Sequence, residues 1–254
     1  MKLKVLGCSG GIGGSLRTTS FLIDHDVLID AGTGVGELSL TELSLIDHIF
    51  ITHTHMDHIC SLPLLLDSVA GMRDRPVIVY ASEETIEVLK QHIFNWKIWP
   101  DFCEIPSAQN PAMRYQAIAL GEVVTLQGRK ITAVPANHTV PAVGYHIDSG
   151  QASLVFSGDT YINDDLWAVV NRIENLRYLI IETAFSNGEK NLATRAKHLC
   201  SSLLADELAK FQGDAEIFIT HLKPDEMELI MHEVKQCAGK FNPRMLLNKH
   251  VFEF

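Results

Sequence analysis

Thr52-His53-Thr54-His55-Met56-Asp57-His58 is the most informative segment of this chain. It follows the apolar run of residues 49–51, so three histidines and one aspartate lie at the end of a predicted strand and in the loop that leaves it. Imidazole and carboxylate suit Zn(II), Mn(II) or Fe, and ligands this closely spaced can serve two adjacent ions. The segment therefore predicts part of a metal centre, to be completed by ligands from elsewhere in the chain.

Three further candidate ligands, His138, Asp159 and His221, each follow another predicted strand. A lone histidine in such a place is more often a hydrogen-bonded turn residue than a ligand. Repetition of the same placement along the chain favours a shared site. The predicted ligands are His53, His55, Asp57, His58, His138, Asp159 and His221.

The remaining pattern predicts sheets enclosed by helices. Apolar segments indicate strands at residues 3–6, 21–23, 27–29, 48–51, 130–134, 142–147, 154–156, 178–181 and 217–220. Helical spacing indicates helices at residues 62–70, 83–94, 165–170, 201–211 and 226–237, with Ser82 as the N-cap of the second. Several strands are apolar throughout, as expected when both faces of a sheet are covered. No linker-like tract interrupts the chain, so we expect one domain over residues 1–254.

Composition excludes several classes of protein. The net charge is −10, which argues against a sequence-independent nucleic-acid binder, because such binding needs clustered lysine and arginine. Five scattered cysteines do not form a disulfide framework. No apolar run approaches the ~20 residues that cross a bilayer, and a glycine-rich segment replaces the apolar part of a signal peptide. We expect a cytoplasmic protein without a membrane partner.

The motif His-x-His-x-Asp-His at residues 53–58, with the strand at 27–30 and Ala31-Gly32 before it, resembles the metallo-β-lactamase superfamily. The resemblance covers essentially the whole chain and implies a four-layer αββα sandwich with the site along one edge of the two sheets. It implies these roles: His53, His55 and His138 on a first metal, Asp57, His58 and His221 on a second, Asp159 bridging both, and Asp30 orienting ligands from outside. Metallo-β-lactamases proper often have Cys in place of Asp159, and flavodiiron proteins have Glu in place of His55, so both of these groups are disfavoured.

Residues 53–61 resemble, more narrowly, the signature of class II 3′,5′-cyclic-nucleotide phosphodiesterases, with Met56 where that signature usually has Leu. The stretches 140–145, 156–160, 181–185 and 221–224 are similar as well, and tRNA 3′-processing endonucleases share much of this pattern. The resemblance implies hydrolysis of cAMP or cGMP to the 5′-monophosphate by a hydroxide that bridges two divalent cations, Zn²⁺ in the first place and Mn²⁺ or Fe²⁺ as alternatives. An RNase Z-like endonuclease is the second hypothesis, and a metal-binding member without catalytic activity is the third. The acidic charge favours a small nucleotide or phosphodiester over a nucleic acid.

Two residues are assigned to catalysis, Asp57 and His198. His198 resembles the additional histidine that these relatives place near the scissile phosphate, where it can donate a proton or bind a phosphoryl oxygen. The alternative is a helix-capping or surface histidine. Trp96 and Trp99 lie where relatives vary their substrate walls, and they would stack a purine or, more commonly, pack in the core or in the homodimer that family habit suggests.

Overall fold

Fourteen strands form two seven-stranded sheets. The computed structural model describes residues 1–254. The first sheet contains β1 (Lys2–Gly7), β2 (Ser20–Ile23), β3 (Val27–Ile29), β4 (His48–Phe50), β5 (Val77–Ala81), β6 (Met113–Ala117) and β14 (Val251–Glu253). The second contains β7 (Val123–Leu126), β8 (Arg129–Pro135), β9 (Val143–Asp148), β10 (Ser153–Phe156), β11 (Leu176–Glu182), β12 (Glu216–Thr220) and β13 (Arg244–Met245). The spatial orders are β14-β1-β2-β3-β4-β5-β6 and β13-β12-β11-β10-β9-β8-β7, so most neighbouring strands are consecutive in the chain.

Both faces of the sheets are buried. In β2, Phe21 enters the core between the two sheets, whereas its neighbour Leu22 packs toward the helices. In β12, Phe218 enters the same central core and Ile219 faces the helices on the other side. Because successive side chains of a strand point to opposite faces, a strand buried on both faces is apolar throughout.

Helices cover the outer face of each sheet. The helices are α1 (Leu40–Ser44), α2 (Met56–Ile59), α3 (Leu62–Val69), α4 (Glu83–His92), α5 (Asp164–Val170), α6 (Lys190–Ala196), α7 (Ser201–Leu208) and α8 (Met227–Ala238). In α3, Leu62, Leu65, Leu66 and Val69 recur at helical spacing and pack on the first sheet. The predicted cap is confirmed, because Ser82 accepts a hydrogen bond from the Thr85 amide at the start of α4. Helices α5 to α8 contribute their buried residues to the core outside the second sheet.

The predicted four-layer αββα sandwich is confirmed. Each predicted strand and helix is present, with ends that differ by a few residues: the helix predicted at 201–211, for example, ends at Leu208. Strands β5, β6, β7, β13 and β14 and helices α1, α2 and α6 are additional to the prediction. None of the helices combines the length and the apolar character needed to cross a membrane.

Strand direction gathers the carboxyl ends of several strands at one edge. Strands β10, β11 and β12 are parallel neighbours. Strand β8 runs antiparallel to β9, which runs antiparallel to β10, so β8 ends at the same edge. In the first sheet, β3 and β4 are also parallel. Residues that follow these strands are therefore brought together, although they are far apart in the sequence.

Candidate metal centre

The structure brings all seven predicted ligands together at this edge. They form two groups in which the candidate ligand atoms lie within 4.8 Å of one another. The first group is His53, His55, His138 and Asp159, and the second is Asp57, His58, Asp159 and His221. Asp159 belongs to both, which is the arrangement expected of a carboxylate shared by two ions.

Asp159 lies between three buried histidines. Its Oδ2 is 3.6 Å from Nε2 of His53 and 3.3 Å from Nε2 of His58, and its Oδ1 is 3.3 Å from Nδ1 of His221. These separations exceed those of ordinary hydrogen bonds, but they suit atoms that share an ion about 2.0–2.2 Å from each. Asp57 completes the second group, with its Oδ2 3.7 Å from Nε2 of His221.

Four atoms of the centre lack any hydrogen-bond partner although they are buried: Nε2 of His53, Nε2 of His58, Oδ2 of Asp159 and Nδ1 of His221. Buried polar atoms are seldom left unpaired, because each carries a desolvation cost. All four face the same small space between the two groups. The set of nitrogen and oxygen donors suits borderline divalent cations, and it fits two of them.

Hydrogen bonds outside the centre fix the orientation of its ligands. Nδ1 of His58 donates to Oδ2 of Asp30 at 2.7 Å, and the same carboxylate accepts the Thr52 amide at 2.8 Å. Nδ1 of His138 donates to the Lys197 carbonyl at 3.0 Å, which leaves Nε2 directed toward Nδ1 of His55 at 3.1 Å. Such contacts select the tautomer whose free nitrogen faces the metal. Asp30 therefore lies outside the ligand set, as the resemblance implies, and the role of Lys197 was not predicted.

The glycine-rich loop at residues 9–15 borders the centre. A Cβ on Gly10 would lie 2.4 Å from the carbonyl oxygen of His221, so only glycine fits there without displacing that ligand. The Gly10 amide also donates to the Leu222 carbonyl. The loop supports the backbone of His221, which itself has a positive φ of 65°.

Residues 25–236 match the family model described as Beta-lactamase superfamily domain. The chain belongs to this superfamily. A probable 3′,5′-cyclic-nucleotide phosphodiesterase of Yersinia pestis is 27% identical over 75% of this chain and 63% of its own length. A ribonuclease Z of Clostridium beijerinckii is 32% identical over 97% of this chain and 79% of its own length. Unliganded yeast PDE1 matches with a TM-score of 0.82 over 100% of this chain and 99% of its own, at 18% identity, and this likeness concerns the fold.

The chain spans less than two thirds of the Yersinia protein and about half of an archaeal ribonuclease Z that also matches, at 48% of its length. The relatives of this superfamily member thus include proteins named as a phosphodiesterase and proteins named as ribonucleases.

Burial keeps most ligand histidines of this superfamily member neutral. It lowers the pKa of His138 to about 4 and that of His221 to about 3, and the pKa of His53 lies well below its ordinary value. Neutral imidazole has the free lone pair that a metal requires. Burial also lowers the pKa of His58, but the Asp159 and Asp30 carboxylates outweigh it and raise that pKa well above its ordinary value. The centre thus has an excess of negative charge, which bound cations would compensate.

His198 is buried beside the centre and paired with a carboxylate. Its Nδ1 donates to Oε1 of Glu182 at 2.8 Å, and that oxygen also accepts the Thr160 amide at 3.1 Å. The His198 ring lies 4.8 Å from the His138 ring and 5.0 Å from the His221 ring, centroid to centroid. The surface alternative for His198 is therefore wrong. The His198 side chain does not cap α7, whose N-cap is Cys200, and only its backbone amide serves a helix end, by donating to the Ala193 carbonyl of α6 at 2.9 Å.

Glu182 is the main residue of the site that the sequence analysis did not assign. It is fully buried at the end of β11, between the strands that carry Asp159 and His221. Burial raises the pKa of Glu182. Burial lowers the pKa of His198, but the charge of Glu182 outweighs it, so the His198 pKa lies above its ordinary value. The detectable signal was a glutamate that follows an apolar strand, in the same position as the ligands.

The two tryptophans lie apart from the ligands. Trp99 packs against the core between the first sheet and its helices, as expected of the commoner use of such a residue. Trp96 is 60% exposed. Neither contributes to the two ligand groups.

Proposed function

We propose that this superfamily member is a dimetal phosphodiesterase that hydrolyses small phosphodiesters, with 3′,5′-cyclic nucleotides such as cAMP and cGMP as its substrates. One observation carries the proposal: two ligand groups share Asp159 and leave four buried donor atoms unpaired around one space. We propose Zn²⁺ as the resident ion, with Mn²⁺ or Fe²⁺ as alternatives that the same donors accept. When bound, two cations would polarise water and neutralise charge on the phosphoryl oxygens.

His198 is the proposed proton donor. Hydrolysis forms a bond from the water oxygen to phosphorus and breaks the bond to the 3′ oxygen, which then needs a proton. Because Glu182 occupies Nδ1 of His198, its Nε2 is the nitrogen available to the substrate. The proposal is supported by the position of the His198 ring beside the His138 and His221 rings, one from each ligand group. A positioned acid of this kind typically contributes a factor of about 10² to 10⁴ in rate.

Asp57 is the proposed contact for the attacking water. Its side chain is 29% exposed, whereas that of Asp159 is 2% exposed. Its carboxylate can therefore bind a cation with one oxygen and accept a hydrogen bond from solvent with the other. We assign it both roles.

An RNase Z-like activity is the second candidate, and the Clostridium relative, aligned over 97% of this chain, favours it. Against it stands the net charge of −10, since an extended RNA is held mainly through phosphates that need basic partners. We therefore place the small substrate first. A cytoplasmic location and a homodimer stay predictions.

A substrate panel tests the proposal. The purified protein is loaded with Zn²⁺, Mn²⁺ or Fe²⁺, its metal content is counted, and its turnover is compared on cAMP, cGMP, an aryl phosphodiester and a precursor tRNA. We expect two metals per chain and the highest kcat/KM on a cyclic nucleotide. Cleavage of precursor tRNA alone would replace our first candidate by the second, and turnover of thioesters or sulfate esters alone would defeat both.

A further inference from the structure

A cavity of about 610 Å³ is lined in part by His138, the one predicted ligand among its lining residues. We call it the His138 cavity. Its walls are residues 82–84 at the start of α4, residues 117–120 and 122 from the end of β6 onward, and residues 136–138 and 140–143 from the end of β8 to the start of β9. Its volume lies within the range of small-molecule pockets, about 300–1,000 Å³. Neither Trp96 nor Trp99 lines it.

The cavity and the metal centre share a wall. The segment from residue 136 to 143 carries the ligand His138 and also lines the cavity with Val140 and Val143. Ile118 and Val143 are almost fully buried and give the cavity an apolar floor. Because His138 belongs to both, the cavity adjoins the centre, and we expect the organic part of a substrate held by its phosphate to enter this space.

The charged residues that line the cavity are acidic, and Lys197 Nζ, beside its wall, is bound to Asn137 Oδ1 and to the His138 carbonyl. Glu83, Glu84 and Glu122 line the cavity, and its lining contains no lysine or arginine. One of these carboxylates has a structural partner, since Glu122 accepts the Ala119 amide at 2.8 Å. Glu83 and Glu84 are exposed in the first turn of α4. An uncharged group can enter such a space, but a chain with further phosphates meets like charge.

We propose that the His138 cavity binds the base and ribose of a small nucleotide, and that Glu83 and Glu84 disfavour nucleic-acid chains. This inference rests on the proposed function and adds the place where substrates are distinguished. The apolar floor gives affinity to the nucleoside, whereas the glutamates give selectivity against polyanions. The metal centre would hold the phosphate in either kind of substrate.

The first test fills the cavity and measures binding by the metal-loaded protein. Ala119 is exposed and lines the cavity, so Ala119→Trp occupies part of its volume. We expect the affinity for 5′-AMP, measured by calorimetry, to fall by roughly tenfold or more, while that for inorganic phosphate stays within about twofold. The matched control is Gln116→Trp, because Gln116 is exposed in the same region and does not line the cavity. Equal effects on AMP and phosphate, or no effect on either, would overturn the assignment.

The second test removes charge. Glu83→Gln with Glu84→Gln is compared with Glu87→Gln, a glutamate of the same helix that does not line the cavity. We expect the double variant to bind a ten-nucleotide oligothymidylate roughly three- to tenfold more tightly at low salt, with the gain shrinking at high salt. AMP affinity should change less than twofold, and the control should alter neither. An unchanged oligonucleotide affinity would refute the charge argument.

These readouts are independent of turnover. If the substrate panel showed no hydrolysis of cyclic nucleotides, the proposed function would fail, whereas AMP binding would still test the cavity. If wild-type protein bound the oligonucleotide more tightly than AMP, the proposed selectivity would fail even with cAMP as a substrate.

Discussion

Asp30→Asn tests how far the metal centre depends on a residue that does not touch the metals. The Asp30 carboxylate accepts the Thr52 amide on Oδ1 at 2.8 Å, and His58 Nδ1 on Oδ2 at 2.7 Å. Asparagine keeps one of these oxygens and replaces the other by an amide NH₂. If the NH₂ faces the Thr52 amide, two donors oppose each other. If it faces His58, the ring accepts at Nδ1 and carries its proton on Nε2, the nitrogen that faces the centre.

Either orientation removes one charge-assisted hydrogen bond, worth about 1.5–3 kcal/mol. At 1.4 kcal/mol per factor of ten, this predicts roughly a 10- to 150-fold loss of affinity at the metal position that His58 serves. The range agrees with the 10- to 100-fold losses typical of residues that orient ligands. The other position should weaken less, because it shares only Asp159 with the affected group.

Competition against a zinc chelator of known affinity measures both binding steps, and mass spectrometry counts the retained metals. Asp26→Asn is the matched control, because Asp26 is a buried carboxylate of the same sheet region that pairs with Arg129 and lies outside the ligand groups. It should lower stability without changing metal affinity. Unchanged affinity at both positions in a folded Asp30→Asn protein would refute the argument.

The remaining predictions concern the shared ligand, the proton donor and acid stability. Asp159→Ala should lose both metals and activity together, as metal counting and cAMP turnover would reveal. His198→Ala should retain both metals but turn over about 10²- to 10⁴-fold more slowly, and a wild-type rate would exclude it from the mechanism. Burial would raise the pKa of Asp26, but the Arg129 guanidinium, bound through two contacts of 2.6 and 2.7 Å, holds it below 3.8. The pair therefore stabilises the fold above pH 3.8, and this stabilisation is lost as the pH falls through the lower pKa of folded Asp26. In Asp26→Asn the urea midpoint should consequently decline less between pH 5 and pH 3 than in the wild type.

The strands that the sequence predicts are those buried inside the sheets. The runs 178–181 of β11 and 217–219 of β12 are apolar because both faces of these strands are covered. All four edge strands, β6, β7, β13 and β14, escape prediction. An edge strand is short or half exposed: β6 reads Met-Arg-Tyr-Gln-Ala, and only its Met113 is fully buried. β5 is a different case, since its apolar run Val-Ile-Val-Tyr-Ala does carry the signal and the sequence analysis does not assign it.

The site likewise contains residues that the sequence predicts and residues that it does not. Its ligands are predictable because each follows a buried strand and has a chemistry that few structural roles require. The pairing of His198 with Glu182 is not predictable in this way, because those residues are 16 positions apart and are brought together only by the fold of the sheet. The same holds for His138 and the Lys197 carbonyl, which are 59 positions apart. Spacing along a chain reveals which groups can bind a metal, but not which groups will orient them.

This division suggests how one fold serves different phosphodiesters. The ligands follow strands in the interior of the sheets, where a change of side chain creates a cavity or strain in a close-packed core. Part of the wall of the His138 cavity comes instead from the end of the edge strand β6 and the first turn of α4, whose residues are largely exposed. Substitutions there cost little stability, since exposed positions have few contacts to lose. Substrate choice can therefore change at the edge of the sheet while the metal centre stays intact. Replacing Glu83 and Glu84 by the residues of a nuclease should alter selectivity without loss of metal.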